Sequence, residues 1–368
     1  MEDAFRFADP LGPERMIHIH KPSVGLRAIV VIDNVAAGPS IGGARMAADV
    51  SLEECVRLAR AMTLKNAAAG LAHGGGKSVV FADPAMPVAD KERLIRAFAR
   101  ALADESGYIV GPDMGTDERC MAWVKDEIGR AVGLPREIGG IPLDEIGATG
   151  FGLAVAAEIA QDYCDVRLEG ARVAIQGFGA VGRHAARFLA RKGAVVVAAS
   201  DSRGTIANPD GLDIDSLAML KAEGRGVTEL GRATKGGRDA IIDVDCDIWI
   251  PAARPDVIDD RNVGRLKARL VLQGANIPIT RAAEERLHGR GVLSVPDFIA
   301  NAGGVICAAI EYHGGTESQA LAAIEDRLRF NTRAVLEQAR ANRESPRAAA
   351  ETLAEERVRA AMALRRFG

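Results

Sequence analysis

Two stretches of this 368-residue chain combine residue types that can do acid–base chemistry. The first is His73-Gly74-Gly75-Gly76-Lys77-Ser78, with Lys65 twelve residues before Lys77. A phosphate loop would need glycine at position 71, which is Leu71, and a helix after the lysine, where a strand reads instead. What remains is a lysine held on a close-packed glycine turn, with a plain surface lysine as the alternative. Two lysines in one cleft repel each other, and partial burial adds to that. Both effects lower a lysine pKa towards the range where it exchanges protons. The second stretch, Gly111-Pro112-Asp113-Met114-Gly115-Thr116, puts a carboxylate in a turn just after a strand, where active-site groups often sit. An ordinary turn aspartate is the plain alternative there.

A third stretch binds rather than reacts. Arg172 to Gln176 reads as a strand that runs into Gly177-Phe178-Gly179-Ala180-Val181-Gly182, and a helix follows. In that context Gly177 permits the tight turn, Gly179 lets the backbone approach a pyrophosphate, and Gly182 lets helix and strand pack closely. The helix N-terminus offers free N–H groups and a positive dipole end to the phosphates. Asp201 closes the next strand, 19 residues after Gly182. A carboxylate there can bond a ribose 2′-OH, so NAD is the expected cofactor, with NADP the alternative through Arg203. Two lysines and an aspartate near a nicotinamide point to an amino acid as substrate. One cation would hold its carboxylate, and the other groups would manage water and the amine.

These groups need rigid elements behind them. Residues 15–34 read as a hairpin turning at Pro22 to Gly25. Ser51 and Glu54 form a capping box for a helix over 51–69 that Gly70 ends, which places Lys65 at its end near Leu58 and Met62. Strands follow at 78–81 and 108–110, and helices at about 88–105 and 117–131. After Gly139-Gly140 the units alternate. A helix over 149–163 precedes strand 171–176, helix 180–191, strand 194–200 and further strands near 247–250, 269–273 and 292–295. Strands separated by helices imply a parallel, doubly wound sheet, and the fold class is α/β. The remaining segments, near 302–313, 318–342 and 346–366, are helical.

Composition excludes several classes. With 47 basic and 50 acidic residues the net charge is −3, which argues against a polybasic nucleic-acid or membrane-surface protein. No apolar run approaches the roughly 20 residues that span a bilayer. Met1-Glu2-Asp3-Ala4 lacks the basic-then-apolar pattern of a secretory signal. The five cysteines, Cys55, Cys120, Cys164, Cys246 and Cys307, form no CxxC or Cys/His cluster. They read as reduced thiols in a cytoplasmic protein without a metal site. His18 and His20 share a face of the first strand and read as structural.

Taken in order, Gly42-Gly43-Ala44-Arg45-Met46, Met62-Thr63-Leu64-Lys65-Asn66, His73 to Ser78 and Gly111 to Thr116 resemble the amino acid dehydrogenases of the glutamate/leucine/phenylalanine/valine dehydrogenase family. So do Gly147-Ala148-Thr149-Gly150, the Gly177–Gly182 turn, Pro251-Ala252-Ala253, Gly274-Ala275-Asn276 and the run from Pro296 to Gly304. The similarity spans about residues 15 to 366. It implies a homo-oligomeric two-domain enzyme with its active site in a cleft. The N-terminal α/β substrate domain would take residues 1–140, joined by C-terminal helices over about 336–368, and a Rossmann domain would take 141–335. It further implies that Lys65 binds the substrate carboxylate, Lys77 activates water at the imine carbon and Asp113 exchanges protons with the substrate nitrogen. Thr149 and Asn276 would hold the nicotinamide and its ribose. Ser202, Ala252, Ala253 and Asn301 complete the cofactor contacts that the resemblance implies. Hydride transfer belongs to the cofactor, while the protein supplies orientation, proton transfer and desolvation.

The substrate pocket departs from part of the family. Ile41 stands where members acting on glutamate usually carry a lysine for the side-chain carboxylate. Ser200 to Gly204 and Gly274 to Pro278 nevertheless look more like the glutamate branch. The other pocket residues placed by resemblance are Gly42, Gly43, Gly111, Val305 and Ala308, and Gly111 and Ala308 leave room for a large side chain. The expected reaction is therefore NAD-dependent, reversible oxidative deamination of an apolar, leucine- or phenylalanine-like L-amino acid to the 2-oxo acid and ammonia. Glutamate is the alternative substrate. A non-catalytic nucleotide-binding regulatory paralogue is the alternative of another class, and Lys65, Lys77 and Asp113 together argue against it. A hydroxy-acid dehydrogenase would want a His–carboxylate pair, for which only His73 offers itself.

Overall fold

The computed structural model describes residues 5–366, so Met1 to Ala4, read above for a secretory signal, lie outside the described residues. The chain divides into two compact units. One comprises the chain up to Leu143 together with Val305–Leu321 and the segment from Thr352 onward, and the other Asp144–Gly304 and Ala322–Glu351.

The first unit begins with β1 (Arg15–Lys21) and β2 (Leu26–Asn34), an antiparallel hairpin whose turn ends on Gly25 at φ +68°. There follow β3 (Ser40–Ala47), α1 (Leu52–Ala68), β4 (Gly75–Phe81), α2 (Val88–Ala101), β5 (Tyr108–Pro112) and α3 (Glu118–Ile128), and the short α4 (Leu143–Ile146) straddles the division between the units. The five strands form one sheet in the order β1-β2-β4-β3-β5. β3 runs parallel to both β4 and β5, while β2 is antiparallel to β4. Alternation along the strands separates two faces. Ala44, Met46, Val80, Tyr108 and Val110 pack with Leu94, Ile95, Phe98, Met121 and Val124 of α2 and α3. Ile29, Val31 and Val79 face Cys55 and Ala59 of α1. Ser51 caps α1 by accepting the Glu54 amide at 3.1 Å, but the Glu54 carboxylate turns to Arg45, so only half of the expected box forms. β3 is a strand that the sequence reading leaves out.

The second unit starts with α5 (Ala148–Ala160), a helix of small and apolar residues buried on nearly every side. It continues with β6 (Arg172–Gln176), α6 (Ala180–Ala190), β7 (Val195–Asp201), β8 (Gly204–Ala207), α7 (Ile214–Ala222), β9 (Thr234–Gly236), β10 (Ile248–Pro251), β11 (Leu270–Leu272), α8 (Arg281–Gly289), β12 (Leu293–Val295) and α9 (Asp297–Ala300). Seven strands form a sheet in the order β12-β11-β10-β6-β7-β8-β9. The five from β12 to β7 are parallel, as a doubly wound fold requires, whereas β8 and β9 extend the edge as antiparallel strands. The chain leaves β6 towards β7 on one side and later returns as β10 on the other. That switch point, at the carboxyl ends of β6 and β10, is where such sheets bind ligands.

The last helices are α10 (Gly303–Tyr312), α11 (Glu317–Asn342) and α12 (Pro346–Met362). The division among them departs from the expected one at residue 336. Val305–Leu321 groups with the first unit, and 336–351 stays with the second. Two half-buried cations anchor α12. Arg347, in its first turn, pairs with Glu284 and Asp297 of the second unit, while Arg357 donates to the Ala67 and Ala68 carbonyls at the end of α1. Among the described residues no helix is long and apolar enough to cross a membrane, and no group of three or more His, Cys, Asp or Glu is placed to hold a metal. All five cysteines are free.

Candidate active-site residues

In the first unit the sheet brings Lys77 of β4 and Asp113 at the end of β5 to either side of β3. Lys77 Nζ lies 2.7 Å from Asp113 Oδ2. Between them passes Gly43: a Cβ there would stand 2.7 Å from the Asp113 Cβ, 2.8 Å from the Pro112 oxygen and 3.2 Å from Lys77 Nζ. Gly42 is pressed as closely against the Gly76 carbonyl, 1.7 Å from where its Cβ would be. The Gly42-Gly43 pair thus lets the lysine and the aspartate meet across a strand. The Asp113 turn is tied by Thr116, whose hydroxyl accepts the Asp113 amide at 3.0 Å and donates to the Ala44 carbonyl at 2.8 Å.

Arg45, two residues along the same face of β3, places Nε 3.1 Å from Asp113 Oδ2, and its Nη1 pairs with Glu54. The sequence reading names Arg45 only as part of a motif. The two-residue period of a strand would have put it on the face of Gly43, had the strand been recognised, but not beside Asp113. Burial opposes the ionised form of Asp113, but the Lys77 and Arg45 charges outweigh it and hold the carboxyl at about 2. Lys65 lies in the last turn of α1, 9 % exposed. The next residue, Asn66, donates to the Gly74 carbonyl at 2.6 Å and to the Ile41 carbonyl at 3.4 Å, joining both glycine segments to α1. Ile41 is buried at the start of β3.

His73, just before the glycines, is buried as well. Its Nδ1 lies 3.0 Å from the Pro39 carbonyl and its Nε2 3.1 Å from His313 Nε2. Since a carbonyl only accepts, Nδ1 carries the proton of neutral His73, and His313 donates to Nε2. Sequence reasoning sees in His73 only a stray imidazole, because His313 is 240 residues away. Val305 and Ala308 sit three residues apart on α10. Beside Gly111, Val132 Cγ2 stands 3.1 Å from where a Cβ would be.

In the second unit, Gly177 at φ +94° packs its α-carbon against Ala252 and Ala253, within 2.8–2.9 Å of a would-be Cβ. Gly182 packs as closely on the Gly177 carbonyl, whereas the Cβ position of Gly179 faces open space. The amides of Gly177 and Phe178 bond the Ser200 carbonyl at 3.0 and 2.8 Å, and the Phe178 ring is wholly buried. Ala180 and Val181 open α6, which lacks a side-chain cap. Turn, open glycine and uncapped helix suit a pyrophosphate. Asn301 donates to the Gly274 and Ala275 carbonyls and to Asn276 Oδ1 at 3.2 Å, and Thr149 Oγ1 lies 3.1 Å from where a Gly304 Cβ would be.

Asp201 is bonded within its own loop. Its Oδ2 accepts from Lys221 Nζ at 2.9 Å and from the Val227 amide at 3.0 Å, and its Oδ1 accepts the Arg203 amide at 2.9 Å. Only 8 % of its side chain is exposed, against 24 % for Lys221. Burial opposes its charge, and these donors overcome that and hold its pKa below the ordinary value. The carboxylate is thus engaged inside its own loop, while Ser202 beside it is exposed.

Sequence profiles of two families match the chain. That described as "Glutamate/Leucine/Phenylalanine/Valine dehydrogenase" covers residues 139–366, and "Glu/Leu/Phe/Val dehydrogenase, dimerisation domain" covers 13–130. The chain is 39% identical to a glutamate dehydrogenase of Aeropyrum pernix over 90% of its own length and 85% of the relative's. It is 42% identical to an NADP(+)-dependent glutamate dehydrogenase of Pyrobaculum calidifontis over 76% and 70%. Among solved structures, a hetero-hexameric glutamate dehydrogenase from Thermus thermophilus in its Leu-bound form superposes with a TM-score of 0.87 at 29% identity. That match covers 96% of this chain and 90% of the other.

Proposed function

We propose, from the premise that this chain belongs to the glutamate/leucine/phenylalanine/valine dehydrogenase family, that it catalyses NAD(P)-linked, reversible oxidative deamination of an L-amino acid to the 2-oxo acid and ammonia. The observation that carries this reading is the 2.7 Å pair of Lys77 and Asp113 across Gly43. In it Lys65 holds the substrate carboxylate. Asp113, ionised at neutral pH, accepts a proton from the substrate nitrogen, and Lys77 orients and polarises the water that releases ammonia. The turn from Gly177 to Gly182 with Thr149, Ala252, Asn276 and Asn301 holds the dinucleotide. When bound, its nicotinamide takes up the hydride.

Glutamate is the substrate that the relatives support, since both named above are glutamate dehydrogenases. A second reading, an apolar amino acid, rests on Ile41. An ion buried beside isoleucine without a partner costs several kcal/mol. Arg45, beside the Lys77–Asp113 pair, is already engaged by Glu54 and Asp113. For the cofactor, the ionised carboxylate of Asp201 favours NAD, while the Pyrobaculum relative's name carries NADP. We assign an oligomer, with a homo-oligomer as the simplest form, in keeping with the dimerisation-domain profile over residues 13–130; the structural relative named above is a hetero-hexamer.

Steady-state kcat/KM for glutamate, leucine and phenylalanine, each with NAD and with NADP, tests all of this. The expected result is turnover with at least one of the three and a higher value for glutamate. Leucine or phenylalanine exceeding glutamate gives the substrate to the Ile41 reading, and no turnover with any amino acid overturns the function.

A further inference from the structure

Arg347 is a half-buried charge outside the residues assigned to the candidate site. It belongs to the first turn of α12 and packs against α8, α9 and the end of β11, with 11 % of its side chain exposed. Its Nε bonds Glu284, and its Nη2 reaches Asp297 Oδ1 at 3.0 Å and Gln273 Oε1 at 3.2 Å. The guanidinium also lies over the Phe298 ring, 5.6 Å from its centroid. The other Asp297 oxygen accepts the Ile277 amide at 2.7 Å. Ile277 has φ +44°, a left-handed backbone that a β-branched residue rarely adopts. That strain persists only where surrounding bonds hold it, and the Asp297 bond lies on it directly. Asn276 immediately precedes Ile277, and its Oδ1 takes the bond from Asn301. A chain of contacts therefore runs from α12 through Arg347, Asp297 and Ile277 to Asn276.

We propose that Arg347 is a positioning residue for the cofactor: by orienting Asp297 it fixes the strained Ile277 amide and so the presentation of Asn276 to the nicotinamide half. This rests on the reading that Asn276 contacts the cofactor. Arg347 touches no reacting atom. Its loss frees Asp297 to turn away, relaxes Ile277 and moves Asn276 out of place, which weakens cofactor binding more than amino acid binding.

The test compares wild type with Arg347→Met, Arg347→Lys, Asn276→Ala and Arg281→Ala. The last removes only the exposed Arg281–Glu351 pair that also joins α12 to α8. Cofactor affinity is read from NADH and NADPH fluorescence titration, and both substrates' KM values from steady-state rates. Arg347→Met should raise the cofactor Kd and KM about tenfold and leave the amino acid KM within about twofold, with partial recovery in Arg347→Lys. Arg281→Ala should resemble wild type. If Arg347→Met does not fold, Arg347→Lys carries the test, with a cofactor Kd a fewfold above wild type expected. Unchanged cofactor affinity in the folded Arg347 variants, or an equal loss in Arg281→Ala, overturns the proposal. Unchanged affinity in Asn276→Ala removes instead the reading beneath it. Loss there alone, with the Arg347 variants unaffected, refutes the role of Arg347 while leaving that reading in place.

Discussion

At the scale of single residues, the chemistry turns on one carboxylate between two cations. Asp113 is paired by Lys77 and Arg45 and held at about 2, so it is ionised through any ordinary assay range. An acid limb in kcat/KM between pH 5 and 8 should therefore belong to another group, and replacing Asp113 by Asn should lower the whole profile without moving that limb. Asp113→Asn and Lys77→Ala should each lose about 10²–10⁴ in kcat, the usual range for a proton-transferring side chain, while NADH binding measured by fluorescence stays within about twofold. Near-normal turnover in either variant would take that residue out of the mechanism. Arg45 shows what one residue can hide: its partner lies 68 positions away, so no local pattern announces the pair.

At the scale of elements, β3 is the piece on which the first unit's site depends. It is central in the sheet, parallel to both neighbours, and its Gly42-Gly43 pair is what lets β4 and β5 deliver Lys77 and Asp113 to one place. Gly43→Ala would set a methyl 2.7 Å from the Asp113 Cβ and 2.8 Å from the Pro112 carbonyl, closer than atoms of either kind pack. One of the two must shift. Displacements near 1 Å in a catalytic site cost about 100-fold, so kcat should fall by that order. The thermal midpoint, measured alongside, should drop only modestly because the clash is local. A Gly43→Ala enzyme with normal kcat would mean that the separation of Lys77 and Asp113 is not set by the strand between them.

At the scale of the whole molecule, buried ionisable groups set the response to acid. His73 and His184 are kept below the ordinary imidazole value of 6.5 by burial first, then by His313 for one and by Arg183 and Arg187 for the other. Each binds fewer protons folded than unfolded. Their contribution is thus complete above pH 6.5 and is lost as pH falls through their folded values. Asp113, Asp201 and Asp247 lie below the ordinary 3.8 because ion pairs and amide bonds overcome their burial, so their contribution is present above 3.8 and lost below it. Glu284 and Glu311, raised above 4.5 by burial, act in the opposite sense and offset part of the histidine loss. The thermal midpoint should therefore fall in two stages, below about pH 6.5 and again below about pH 4. A midpoint flat from pH 7 to pH 3 would refute both assignments.

By itself the sequence determined the local frames: the hairpin over residues 15–34, the capped helix carrying Lys65, and the strand–turn–helix of Gly177 to Gly182, whereas the glycines before Lys77, expected as a turn, already belong to β4 from Gly75 onward. The local frames are legible because glycine, proline and capping residues act on the backbone within a few positions. Much of the remainder was decided only by tertiary structure. Ser40-Ile41-Gly42-Gly43-Ala44 has too little β-branched character to declare itself a strand, and it is one because β4 and β5 pair with it on both sides. The antiparallel edge strands β8 and β9 escaped for the same reason, being short and paired chiefly by their neighbours. Asp201 sits where a ribose-binding carboxylate belongs, and Lys221 and two amides bond it there. Val132, from a different segment, comes within 3.1 Å of where a Gly111 Cβ would stand. Sequence specifies what each residue can do, and folding specifies which charge or side chain arrives beside it, because ion pairs and packing act across space between segments that share no local signal.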